Sequence, residues 1–116
     1  MTSGQVITVL GPIDPSEVGA TLLHEHIVSD ISGMVGEPTD PEARRLFDLP
    51  ITLENLAEIR WSRAGMLSRQ NIDLNDPEEA VTELTELAQA GGGTVVEASP
   101  IGMRGVTEAL PGISRR

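Results

Sequence analysis

Residues 76–98 spell a capped helix, a stop and a strand in immediate succession, and this run limits the architecture more than any other part of the chain. Asp76 can accept from the N–H groups of a first helical turn. Pro77 fits the first helical position, where no backbone bond is lost, and Glu79 sits at the third position, where it can close a capping-box exchange. Apolar residues at 80, 81, 84, 87 and 88 form one stripe, and Gly91-Gly92-Gly93 ends it. Residues 94–98, Thr-Val-Val-Glu-Ala, then read as a short strand of the buried kind. A second such strand covers residues 20–28, which are apolar almost throughout apart from the middle, as suits a strand covered on both faces. Strand, helix, strand is the unit that gives parallel pairing by a right-handed crossover, so the expected class is α/β.

The rest of the chain is more broken. Residues 5–10 are β-branched and predict a strand, with Gly11-Pro12 as the turn signal that ends it. Residues 13–19 read as a compact connection, with Asp14 and Ser16 able to bond nearby N–H groups and Gly19 free to adopt positive φ. In residues 29–50 Ser, Asp, Gly and Pro recur, and a short helix is expected only at 42–47. A loop of about twenty residues is uncommon in a compact domain unless it lines a site. Apolar residues at 53, 56, 59, 64 and 67 predict a helix over 52–69 with Thr52 as N-cap and Gly65 as its weak point. A further helix opening at 106–110 is interrupted by Pro111-Gly112.

Composition excludes several functions. The 116 residues allow one domain, and 39% of them are hydrophobic, which is material for a core. Only 2% are aromatic, so that core must be aliphatic. The formal net charge of −10, with arginines scattered apart from Arg44-Arg45 and Arg115-Arg116, argues against a nucleic-acid partner. No stretch approaches the roughly 18 apolar residues of a membrane span, and Met1-Thr2-Ser3-Gly4 has no secretory pattern. With no cysteine there is no disulfide framework and no thiolate metal site. The expected location is the cytoplasm.

Both histidines of the chain lie in the tripeptide His24-Glu25-His26, near the C-terminal end of the expected second strand. In a regular strand, side chains at i and i+2 project from one face, so both imidazoles would reach a single divalent ion, with Glu25 opposite. Imidazole suits zinc and its first-row neighbours. The plainer alternative is a pair of core or surface histidines. Leu22 and Val28 on the histidine face, and Leu23 and Ile27 on the other, suggest that neither face meets open solvent, and buried polar rings require partners. Asp30 and Glu97 are the nearest carboxylates in this scheme, and ordinary exposed or loop roles are favoured for both over ligation. The glycine run precedes a strand instead of opening a helix, so it lacks the geometry of a phosphate cradle. No Ser-His-Asp constellation can be assembled.

Four stretches carry a resemblance: Val9-Leu10-Gly11-Pro12-Ile13, Gly19-Ala20-Thr21-Leu22-Leu23-His24-Glu25-His26, Ile51-Thr52-Leu53-Glu54-Asn55-Leu56 and Ala90-Gly91-Gly92-Gly93-Thr94-Val95-Val96-Glu97. In this order and spacing they resemble the start of the phosphotriesterase family, within the metal-dependent amidohydrolase superfamily. The resemblance implies a (β/α)8 TIM barrel whose first strand carries His24 and His26 as ligands of one ion of a two-metal centre, zinc being the expected metal. It also implies further ligands: a carboxylated lysine, two more histidines and an aspartate. This chain has no lysine and no third histidine.

A barrel of this kind takes about 250 residues. The expectation is therefore a single incomplete domain over residues 1–116, the N-terminal third of the barrel: an N-terminal hairpin, strand 1, crossover helices, strand 2 and the start of the next helix. The implied activity is hydrolysis of a small-molecule phosphotriester, lactone or other ester by metal-activated water, with this chain inactive alone because it holds one partial site. The alternative from a different class is a non-catalytic assembly domain that self-associates, or binds a complementing chain, through an open sheet.

Overall fold

The computed structural model describes residues 4–103 and 105–116. In chain order its elements are strands β1 (Val6–Thr8), β2 (Gly11–Ile13), β3 (Thr21–Glu25) and β4 (Ser29–Asp30), helices α1 (Pro41–Asp48), α2 (Leu56–Trp61) and α3 (Arg63–Met66), strand β5 (Asp73–Leu74), helix α4 (Pro77–Gln89), strand β6 (Thr94–Glu97) and helix α5 (Leu110–Ile113). The class is α/β with a small parallel sheet, as expected. The chain forms two units, one built from Met1–Val28, Asp76–Ser99 and Val106–Arg116, the other from Ser29–Asn75 and Pro100–Gly105.

The first unit opens on an antiparallel hairpin in which Val6 faces Ile13 and Thr8 faces Gly11. Its turn falls at Val9 and Leu10, two residues before the Gly11-Pro12 signal. Thr8 fixes it, with Oγ1 accepting from Leu10 N–H and donating to the Gly11 carbonyl. Pro12 lies in β2, where a two-stranded ribbon leaves an edge that tolerates a missing N–H. A single 3-10 turn, Pro15–Glu17, follows, and a complete capping box forms there: Asp14 accepts from Ser16 N–H while Glu17 reaches back to Asp14 N–H.

Strand β3 pairs with β6 in parallel, Thr21 opposite Thr94 and Leu22 opposite Val95. The strands meet closely at their start. Gly93 N–H donates to the Ala20 carbonyl at 2.8 Å, and a Cβ added at Gly93 would stand 3.0 Å from the Val18 carbonyl oxygen and 3.3 Å from the Gly19 Cα. Gly19 itself takes the left-handed φ of +65° that the sequence anticipated. The expectation that this strand is covered on both faces does not hold: Leu23 is 75% exposed and Leu22 is exposed as well. A two-stranded sheet has too few neighbours to cover both sides.

Helix α4 starts at the predicted cap, with the Asp76 carboxylate accepting from the N–H groups of Glu78 and Glu79 and Pro77 in the first turn, but the return bond expected from the Glu79 side chain is absent among the described residues. Its predicted stripe is half-buried at Ala80, Val81, Leu84 and Leu87 but exposed at Ala88, and Arg116 pairs with Glu78. Pro111 does not interrupt a helix but starts one: a 3-10 turn over Thr107–Ala109 runs into α5, whose first turn accommodates the proline. Val28 and Ile113 are the buried aliphatic side chains of this unit.

The second unit is mostly helical. Asp40 caps α1 by accepting from Ala43 N–H, and Leu46 and Phe47 are buried with Ile59 and Ile72. The continuous helix expected over 52–69 is instead two helices. Thr52 is not the cap: its N–H donates to Asn55 Oδ1 while Asn55 Nδ2 donates to the Pro50 carbonyl, which holds residues 50–55 in a turn. Ser62 is extended and caps the second piece through Gly65 N–H at 2.8 Å, and Gly65 lies so close to the Ile59 backbone that a Cβ there would overlap it. Outside, Arg44 and Arg69 bridge Glu37 and Asp48, and Arg69 lies 5.0 Å above the Phe47 ring. Among the described residues no helix is long and apolar enough to cross a membrane.

Candidate metal site at the end of the histidine strand

The histidine segment belongs wholly to the first unit. Leu22 faces Val95 while Glu25 faces Glu97, so three steps along β3 match two along β6 and the ladder is irregular between them. A bulge of this kind re-aims side chains. The consequence is that strict strand alternation does not set the two imidazoles. His24 is exposed within the irregular stretch, and His26, one residue beyond β3, is half-buried.

The rings nonetheless come together. Their centroids are 5.5 Å apart with planes at 84°, an edge-to-face arrangement. A nitrogen-bound divalent ion sits about 2.0–2.1 Å from the ring nitrogen, roughly 3 Å from the ring centre, so rings at this separation can share one ion. The donor set fits as half of such a site. Among the described residues no group of three or more His, Cys, Asp or Glu side chains converges to hold a metal.

Around His26 the first unit supplies a tight polar frame that sequence reasoning did not assign. Ser99, buried just past the end of β6, places Oγ 2.9 Å from His26 Nδ1. Glu97, the last residue of β6, accepts from Ile27 N–H at 2.5 Å through one carboxylate oxygen and from Ser99 N–H at 2.7 Å through the other. Burial pushes the Glu97 carboxyl up, but hydrogen bonds from the Ser99 side chain and from the N–H groups of Ile27, Ser99 and Val28 outweigh it, and the group titrates below its ordinary range. The Ala98 N–H closes the frame on the Glu25 carbonyl at 2.8 Å. The one available sequence signal was Glu-x-Ser at a strand end, which can fold back on its own backbone but does not announce a contact 73 residues away.

Asp30 belongs to the second unit, where it lies in β4 and accepts from Ser32 N–H, the ordinary loop role favoured for it. The Gly91–Gly93 run ends α4 and brings the backbone to β3, as its helix-stop reading required. The second unit also contains an open groove of about 410 Å³, lined by Met34, Val35, Phe47, Arg63 and Leu67 among others, and neither histidine borders it.

Comparison with known proteins agrees with the resemblance drawn from the motifs. The family model described as "Phosphotriesterase family" matches residues 4–115. A phosphotriesterase-related protein of Nematostella vectensis is 36% identical over 118 residues, covering 98% of this chain and 33% of that protein. The N-acetyltaurine hydrolase of Rattus norvegicus is 39% identical over 103 residues, covering 87% of this chain and 28% of that enzyme. Among solved structures, the resiniferatoxin-binding protein from Rhodobacter sphaeroides superposes with a TM-score of 0.83 at 34% identity, over 97% of this chain and 31% of that one. The chain thus spans about a third of the length of the relatives it matches.

Proposed function

The chain belongs to the phosphotriesterase family, and from that premise we propose that it supplies the first part of a (β/α)8 metal hydrolase, with His24 and His26 as its share of the metal site. In this reading β1 and β2 are the N-terminal hairpin, β3 and β6 are the first two barrel strands, and residues 1–116 are an incomplete domain. The observation that carries it is the pair of imidazoles 5.5 Å apart at the C-terminal end of a parallel strand, the end at which barrel enzymes gather their chemistry.

The metal is divalent, zinc by ligand type, and in such a site it supplies charge that polarises a phosphoryl or carbonyl oxygen and acidifies water. The chain's own residues do two things. His24 and His26 offer ring nitrogens, and the Glu97 frame fixes the backbone on which His26 stands. The substrate class is a small ester, lactone or phosphotriester, which the N-acetyltaurine hydrolases extend to an N-acyl amide. Two nitrogen ligands hold an ion weakly and leave its activation incomplete, so the chain alone is inactive and the other ligands come from further polypeptide.

Zinc titration by calorimetry tests this. Binding weaker than that of a complete site, lost in both His24→Ala and His26→Ala, is the expected result, together with no hydrolysis of aryl phosphotriesters or lactones. Zinc binding unchanged in the double variant would overturn the site. Turnover that disappears in His24→Ala would overturn the claim of inactivity.

A second reading has its own support. Leu22, Leu23 and Val96 are exposed on a sheet of only two strands, whose uncovered surfaces suit self-association or a complementing chain. Sedimentation across a hundredfold concentration range separates the two: a monomer throughout argues against assembly.

A further inference from the structure

Resting on the metal reading of His24 and His26, a question remains open at His26: which ring nitrogen is left to bind. Ser99 answers it. Its Oγ is 2.9 Å from Nδ1, so that nitrogen is already engaged inside the protein. A hydroxyl has a single proton to donate, and an ionised carboxylate can only accept. Glu97, an acceptor-only carboxylate, already takes the Ser99 N–H, and its lowered titration marks the Ser99 side chain as a second donor to it, which leaves Oγ to accept from the imidazole.

We propose that Ser99 is a positioning residue for His26: its oxygen, held at the end of β6 by Glu97, accepts the Nδ1–H of the ring and leaves Nε2 as the bare nitrogen for a divalent ion. The position of Ser99 is itself built. Its N–H donates to Glu97 Oε1 at 2.7 Å, its neighbour Ala98 donates to the Glu25 carbonyl, and Glu97 Oε2 holds Ile27, the residue after His26. Both ends of the Ser99–His26 contact are therefore fixed by the same carboxylate. Such outer partners set the tautomer and orientation of a metal-ligating histidine, and losing one typically weakens metal binding 10- to 100-fold.

The test uses the full chain, which has only two histidines, labelled with 15N on the rings. Long-range 1H–15N correlation at pH 8 without metal reads each neutral ring's tautomer. His26 is expected as the Nδ1–H form, with exposed His24 as the internal reference. Ser99→Ala is expected to move His26 toward Nε2–H and to weaken zinc binding at least 10-fold, and Ser99→Thr, which keeps the hydroxyl, to restore both. Should Ser99→Ala fail to fold, the wild-type and Ser99→Thr spectra still decide. A wild-type His26 in the Nε2–H form, or an unchanged tautomer in folded Ser99→Ala, overturns the positioning role. If the tautomer responds while zinc does not bind the wild type, the positioning role stands and the metal reading falls. If zinc binds wild type and Ser99→Ala equally with no tautomer change, the metal reading stands and the positioning role falls.

Discussion

Glu97 Oε2 accepts a 2.5 Å hydrogen bond from the N–H of Ile27, so the last residue of β6 grips the chain immediately after the second histidine. With its other oxygen on Ser99 N–H, one carboxylate ties two segments that the sequence separates widely. Replacing it with alanine strands both N–H groups. Glu97→Ala is expected to lower the unfolding free energy by about 1–2 kcal/mol in a urea melt, the range for partly buried donors left without partners. Amide exchange at Ile27 and Ser99 should accelerate more than at Val81 in α4; equal acceleration everywhere would mean a global loss and no clamp.

The same group sets a pH dependence. Its carboxyl titrates below the ordinary value of 4.5, so the native state favours the ionised form. The stabilisation is present above the unfolded-chain value and is lost as pH falls through the lower native one. Wild type is therefore expected to exceed Glu97→Gln in stability at pH 7 and to converge on it as the pH falls below 4.5 and through the lower native value. A gap that stays constant over that range would show that ionisation of Glu97 contributes nothing.

Helix α4 rests on its cap. Asp76→Ala removes the acceptor for Glu78 and Glu79 N–H and is expected to cost about 1 kcal/mol, with Asp76→Asn recovering much of it. Thermal melts followed by circular dichroism at 222 nm check this, and an unchanged midpoint in the alanine variant would mean the helix start is not limiting.

At the junction of β3 and β6 the limit is space. Gly93→Val places a branched side chain where even a Cβ meets the Val18 carbonyl at 3.0 Å. The expected penalty is roughly 1–3 kcal/mol, as for other overpacked sites, and the His26 ring signals should shift although the substitution is distant in sequence. A variant with native stability and unshifted rings would show that the strands can separate freely at this end.

What was legible in the sequence was local. Asp76-Pro77 and the glycines after Ala90 carry their own start and stop chemistry, so α4 and β6 could be drawn from a few neighbouring residues, whereas α1 was expected only at 42–47 and its Asp40 cap was missed. The break at Ser62 was hidden because periodicity at 53, 56, 59, 64 and 67 survives a single extended residue, while the first helix begins only after Asn55, whose side chain closes a turn on Thr52 N–H and the Pro50 carbonyl. The histidine pair was found, but not its support. The irregular register of β3 depends on how it meets β6, and Ser99 reaches His26 across 73 residues, which no local pattern encodes.

That separation also governs timing. Gly93 closes on Ala20 over the same distance in sequence as Ser99 closes on His26, so neither contact can form until everything between them has left the ribosome. Each doubling of a flexible loop costs only about 0.6 kcal/mol in closure, so the long span weakens the finished platform little. Its effect falls on rate: contacts of large separation assemble slowly, and the support of His26 is among them. A newly made chain passes through an interval in which α4 can already wind while its two histidines still belong to an unstructured strand.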